Sequence, residues 1–353
     1  MEEVRGSNPL SSPIIEISTT SSQKAAALRR LSDMAILRTA VDRELSLSPI
    51  ANLFWNARER RLRAGWRLLV LLVIVLVVAA VDGRVQAGLA GRLPDLYEDL
   101  VRALVFALLI AAALYLASRV LDHRRMNDYG FHFSRKWWTD LGFGLVLGAL
   151  LLFGVLAVEL AVGWVNITGS FAPSPGQPFV ATILVGVVAV AAVAFGEEAA
   201  YRGYPIKNLA EGVGRARWGI IIAVVIPAVF FGLAHASNEN ATWLSTFNIV
   251  IFGLLFGTGY VLTGELALPI GLHFGWNFVQ GFVFGVVAAG KEYGSVLVLA
   301  DDSSATLWTG QPYGAEGGLM GTAAFIAGFL ATFAWARSQH RSALLVTPQH
   351  PGR

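Results

Sequence analysis

A chain of 353 residues that is 55% hydrophobic and only 14% charged, with a mean hydropathy of +0.58, lies far from the roughly 25% charged residues of soluble domains. It reads as an integral membrane protein, and the absence of cysteine excludes disulfides, thiolate metal sites and a thiol nucleophile. The net charge of +3 and the pI near 9.3 come from basic residues flanking apolar runs, which read as topology signals and not as a nucleic-acid surface.

The first 50 or so residues are polar and Ser-rich, without the basic stretch and early apolar core of a cleavable signal peptide. Within them Leu28, Leu31, Met34 and Val41 recur at nearly helical spacing beside Arg29, Arg30, Arg38 and Arg43. Two expectations stay open, a helix lying on the membrane surface or a disordered tail.

From residue 65 onward, apolar runs approach the roughly 20 residues that cross a bilayer. They predict eight spans, at about 65–82, 100–119, 138–164, 178–200, 217–236, 244–263, 267–289 and 317–336. Arg58, Arg60, Arg61 and Arg63 precede the first span, and Arg119, Arg124, Arg125, Arg135 and Lys136 lie between the second and third. Arg202, Lys207, Arg215 and Arg217 follow the fourth, and Arg337 and Arg341 the eighth, whereas the alternate connections hold little beyond Arg84, Arg92 and Lys291. Basic loops stay cytoplasmic, so both termini are expected on that side. The fold class expected is all-α, a polytopic transmembrane helical bundle. Gly253 and Gly257, Gly271 and Gly275, and Gly281 and Gly285 are spaced for close helix packing in lipid.

Ionisable groups inside spans are the informative ones, because burying them is costly unless they are paired or used. His123, His132, His340 and His350 fall in polar segments, leaving His235 and His273 in apolar surroundings. With Glu197, Glu198, Arg202 and Asn277 they form the only polar set in the helical part that is expected to cluster.

In FGEEAAYRG, residues 195–203, Glu198 and Arg202 are four apart and share a helix face, while Glu197 points about 100° away. Arg202 can hold Glu198 ionised, which leaves Glu197 to face a cavity as a general base. The plainer alternative is that all three mark the end of the fourth span and reach for water. In FFGLAHASNEN, residues 230–240, His235 ends an apolar helix with Phe231 one turn before it. If the fourth helix runs on to about residue 212 and turns back near Gly214, Glu197 and His235 lie at depths that agree within about two turns. In PIGLHFGWNF, residues 269–278, His273 and Asn277 share one face. Taken singly, His235 would be a capping residue, and His273 with Asn277 an interhelical hydrogen-bond pair.

Together, the series E-E-x-x-x-R, F-x-x-x-H and H-x-x-x-N on successive apolar segments resembles the CAAX-protease and bacteriocin-processing family of intramembrane peptidases, over about residues 180–285. The resemblance implies hydrolysis of a peptide bond in a membrane-anchored peptide or lipidated protein C-terminus, just after a prenylated cysteine in the CAAX endopeptidases. By position, Glu197 would activate water with help from His235, His273 and Asn277 would stabilise the oxyanion, and Glu198, Arg202 and Phe231 would support them. Both histidines are then expected within about 10 Å of Glu197, the reach of a shared-water arrangement. No cofactor is favoured, since no H-E-x-x-H helix is present; the alternative is zinc held by Glu197, His235 and His273. Two further readings are a non-catalytic membrane binding or immunity protein and a proton-coupled transporter.

The expected organisation is a cytoplasmic tail to residue 50, three spans in 51–175, the peptidase-like core in 176–290, and a loop, last span and short tail in 291–353. The location expected is a bacterial plasma membrane, with the bilayer and a membrane-embedded substrate as partners and no nucleic acid.

Overall fold

The computed structural model describes residues 49–57, 59–214, 217–286 and 294–339. The expected surface helix of the tail, and Arg58, Arg215, Lys291, Arg341, His340 and His350, lie outside the described residues. The chain divides into two compact units, Met1–Arg60 and Arg61–Arg353. In the first, the described part is the short helix Pro49–Phe54 and the residues just after it.

The second unit is built from α1 (Ala64–Leu89), α2 (Asp95–Leu116), α3 (Arg135–Val162), α4 (Phe179–Glu198), α5 (Tyr204–Val213), α6 (Arg217–Ala234), α7 (Trp243–Thr263), α8 (Ala267–Phe278) and α9 (Leu319–Ser338). Among the described residues, seven helical segments are long and apolar enough to cross a membrane: α1, α2 with the turn after it, α3, the continuous run Phe179–Val213, α6, α7 and α9. Their ends follow from local chemistry. Ser134 caps α3 by accepting the Trp137 N–H at 3.2 Å, and Thr242 with Ser245 forms a capping box on α7. Gly163 and Gly264 end α3 and α7 in the left-handed conformation that side chains resist, at φ 81° and 71°.

The bundle is polytopic and helical as expected, with two differences. The run at 267–289 is not a full span. It forms the 12-residue α8 and a π-helical turn, Val279–Val283, after which Gly285 turns the chain at φ +63° against Ser295. At roughly 1.5 Å per residue this piece falls short of the ~30 Å hydrocarbon core. Hydropathy alone could not show the break, because the residues stay apolar through it.

The second difference is a small sheet. β1 (Val165–Ala172) pairs antiparallel with β2 (Ser295–Asp301), from Val165 opposite Asp301 to Ala172 opposite Ser295. It begins where Gly163 stops α3, with Trp164 stacked on Trp308 at 5.2 Å between centroids.

Helix α8 is pinned to α3 by glycines from both sides. A Cβ on Gly144 would lie 2.3 Å from the Leu268 carbonyl oxygen, and one on Gly271 would lie 2.2 Å from that of Leu141. Gly148 and Gly275 repeat the contact one turn on, so the two backbones touch as small residues allow in lipid. On α7, Gly253 lies against the Ala228 backbone of α6 and Gly257 against the Val224 side chain. Gly285, expected to pair with Gly281, lies beyond the helix.

Candidate active site

The site begins on the fourth crossing. Helix α4 ends at Glu198, a π-helical turn covers Ala199–Gly203, and α5 carries the same run on to Val213. Gly214, at φ +109°, ends the run, and α6 returns. Glu198 and Arg202 pair as their spacing predicts, with Nη1 to Oε1 at 2.9 Å. Both are buried, with 0% and 1% of their side-chain surface open, so the pair does not reach for water at a helix end. The guanidinium also sits 4.1 Å from the Phe231 ring centroid and 4.9 Å from that of Phe256.

Helix α8 brings His273 into this arrangement. Its Nδ1 lies 2.9 Å from Glu198 Oε1 and its Nε2 lies 3.8 Å from Glu197 Oε2. The carboxylate of Glu198, held by Arg202, can only accept, so Nδ1 carries a proton and Nε2 faces Glu197. Glu198 thus does more than pair with Arg202: it fixes the orientation of the imidazole. Glu197, whose side chain is 19% open, lines a cavity of about 450 Å³ with His235, Asn238, His273 and Asn277.

His235 stands in the turn after α6. Its Nδ1 donates to the Phe231 carbonyl at 2.8 Å, a bond to a helix-terminal carbonyl that also sets its tautomer. The capping role and the place in the cavity therefore coexist. Phe231 lies between the two imidazoles, its centroid 4.6 Å from that of His235 and 6.4 Å from that of His273. Glu197, His235, His273 and Asn277 are thus brought to one cavity, with Glu198, Arg202 and Phe231 packed behind them. Helix α8, only 12 residues long and not a full span, brings His273 to the cavity that His235 also lines.

The expectation of a single polar cluster does not hold. Arg102 on α2 pairs with Asp82 of α1 at 2.9 Å and with Asp99 at 3.5 Å, and all three line the same cavity. A third set lies at the basic end. Asp122 receives Arg67 Nη1 and the Tyr129 hydroxyl in short contacts, with Asn208 Nδ2 at 3.2 Å. Glu211 accepts from Arg124 at 2.7 and 3.0 Å and from Arg61 at 3.2 Å. Burial disfavours the Arg124 cation, yet the hydrogen bond and charge of Glu211 prevail and raise its pKa. Burial, with the charge of Asp122, raises that of Tyr129 and keeps its hydroxyl a donor. These partners lie 7 to 150 residues apart in sequence, so spacing does not reveal them, and the arginines read there only as topology signals.

Glu316 is a further cavity residue that the sequence reading misses. It lies on the turn Ala315–Gly317 just before α9, where its only sequence mark is an acid among glycines beside an apolar run. Among the described residues no three His, Asp or Glu side chains are grouped to hold a metal ion. Glu197, His235 and His273 line one cavity without forming such a group.

Residues 179–279 match the family described as type II CAAX prenyl endopeptidase Rce1-like. All seven residues singled out from the sequence fall inside that stretch, while Arg102, Asp122 and Glu316 fall outside it. No curated protein and no solved structure matches the chain. With seven helical segments of membrane-crossing length and hydropathy among its described residues, the chain is an integral membrane protein that carries, at residues 179–279, a stretch matching the family described as type II CAAX prenyl endopeptidase Rce1-like.

Proposed function

We propose that the protein hydrolyses a peptide bond in a membrane-anchored or prenylated substrate, with Glu197 activating water. The observation that carries this is the division of labour between adjacent glutamates. Glu198 is committed to Arg202 and His273, while Glu197 opens on the cavity beside an imidazole nitrogen 3.8 Å away. A carboxylate left open to a cavity where water and substrate can stand is what general-base catalysis needs.

In this reading Glu197 takes a proton as water attacks the scissile carbonyl. Asn277, one turn from His273 on α8, donates its amide N–H to the oxyanion. Donation from His273 Nε2 requires the ring to carry both protons, with Glu198 and Glu197 as counter-charges. His235, tied through Nδ1, keeps Nε2 for assisting proton transfer to the leaving amine. Tyr201 and Asn238 complete the polar end, and Val75, Phe106, Ile110, Val190 and Val193 form an apolar wall suited to a lipid-linked segment.

In this reading the basic flanks of the apolar runs, Arg61 and Arg124 among them, lie on the cytoplasmic side, and the alternation of basic and neutral connections supports the same side for both termini. The Ala, Gly, Val and Arg richness supports a bacterial plasma membrane. The test is peptide release by purified protein from a synthetic peptide ending in a farnesylated cysteine and three further residues. Wild type should turn over and Glu197→Ala should not; equal activity of the two would sink the reading.

A further inference from the structure

Glu316 lies outside the matched family stretch, on the loop that leads into α9. Only 5% of it is exposed, yet it lines the cavity shared with Glu197, His235 and Asn277. Both of its carboxyl oxygens are engaged by α8 and the turn after it: Trp276 Nε1 donates to Oε1 at 2.7 Å and Gln280 Nε2 donates to Oε2 at 2.9 Å. Two donors aimed at the two oxygens suit an ionised carboxylate, although burial favours its protonated form. Those donors flank Asn277 in sequence, at the preceding residue and three residues on.

The loop is built to hold Glu316 still. Asn248 of α7 donates to the carbonyls of Glu316 and Gly318 at 2.8 and 2.9 Å, and Thr322 fixes the Asn248 amide by donating to its oxygen at 2.7 Å. A Cβ on Gly317 would lie 2.5 Å from the Gly310 oxygen, and one on Gly321 would lie 2.2 Å from that of Ala315. The loop therefore closes backbone against backbone.

We propose that Glu316 is a positioning residue of the peptidase site: it clamps Trp276 and Gln280 and so fixes the stretch of α8 that presents Asn277 to the cavity. This rests on the peptidase reading for its effect on turnover, and the clamp itself can be tested without it. A catalytic donor needs to be held to a fraction of an ångström by groups that do not touch substrate. A displacement of about 1 Å can lower the rate on the order of a hundredfold.

The experiment compares wild type, Glu316→Gln, Asn277→Ala and the double variant on the farnesylated peptide, and follows the Trp276 indole and Asn277 amide resonances. In Glu316→Gln, kcat should fall about tenfold to hundredfold with KM nearly unchanged, and both resonances should move. In the Asn277→Ala background, the same substitution should lower kcat less than about threefold, because coupled residues are not additive. If Glu316→Gln does not fold, Gln280→Ala removes one donor and should show the same non-additive loss in kcat. An unchanged kcat in the folded variant, or a full loss that persists without Asn277, would overturn the proposal. Should wild type release no peptide, the peptidase reading fails by itself; unmoved Asn277 amide resonances in Glu316→Gln would then still refute the clamp.

Discussion

Two buried charge clusters sit on one helical run, and they differ in what they leave open. At the basic end, Asp122 and Glu211 are surrounded by donors from Arg61, Arg67, Arg124, Tyr129 and Asn208. They join the start of α1, the loop after α2 and the end of α5. Further up the same run, Glu198 is also enclosed, but its neighbour Glu197 opens into a 450 Å³ cavity. Burial of charge therefore marks structure as readily as chemistry. What singles out a reactive group is the carboxylate left facing space where a substrate can stand.

That contrast can be broken at several points. Glu197→Gln removes the proposed base and little else, so kcat should fall by on the order of a thousandfold or more, within the range of general-base effects, while the melting temperature in detergent stays put. Asn277→Ala should lower kcat by about a hundredfold to a thousandfold, read in the same peptide-release assay. At the other cluster the pattern should invert: Asp122→Asn leaves buried arginines short of an acceptor and should destabilise the protein by about 3–5 kcal/mol. The folded fraction should keep its kcat, as thermal unfolding measured alongside turnover will show. Glu198→Ala should do both, unfolding more easily and losing the orientation of His273, so its turnover should not recover when stability is restored by temperature. The smallest effect expected is that of a chelator. If Glu197 works without zinc, wild-type turnover should survive dialysis against one; full loss reversed by zinc would move the reading to a metal enzyme.

The bundle and the heart of the site were legible in the sequence because each rests on local regularity. Apolar runs of membrane length announced the helices, and four-residue spacings put Glu198 with Arg202 and His273 with Asn277 on shared faces. Gly214 marked the turn that brings α6 back beside α4. The rest depends on partners far apart in the chain. Asp82 meets Arg102 and Arg61 meets Glu211 only through packing. The break after α8 turns on the backbone angle of Gly285, which hydropathy does not register. Glu316 stayed hidden for both reasons: its donors, Trp276 and Gln280, are 40 and 36 residues away, and its loop has no periodicity.

The π-helical turn Ala199–Gly203 gains meaning from its place between the two clusters. Such a turn holds one residue more than a regular helix would, which rotates everything beyond it by about 100°. Above it the run presents Glu197 to the cavity and Glu198 to His273; below it Asn208 reaches Asp122 and Glu211 faces the arginines. The extra residue works as a phase adjuster, letting one continuous rod satisfy two angular demands. Deleting Ala200 would leave composition and hydropathy almost untouched, yet one of the two faces would be pointed the wrong way.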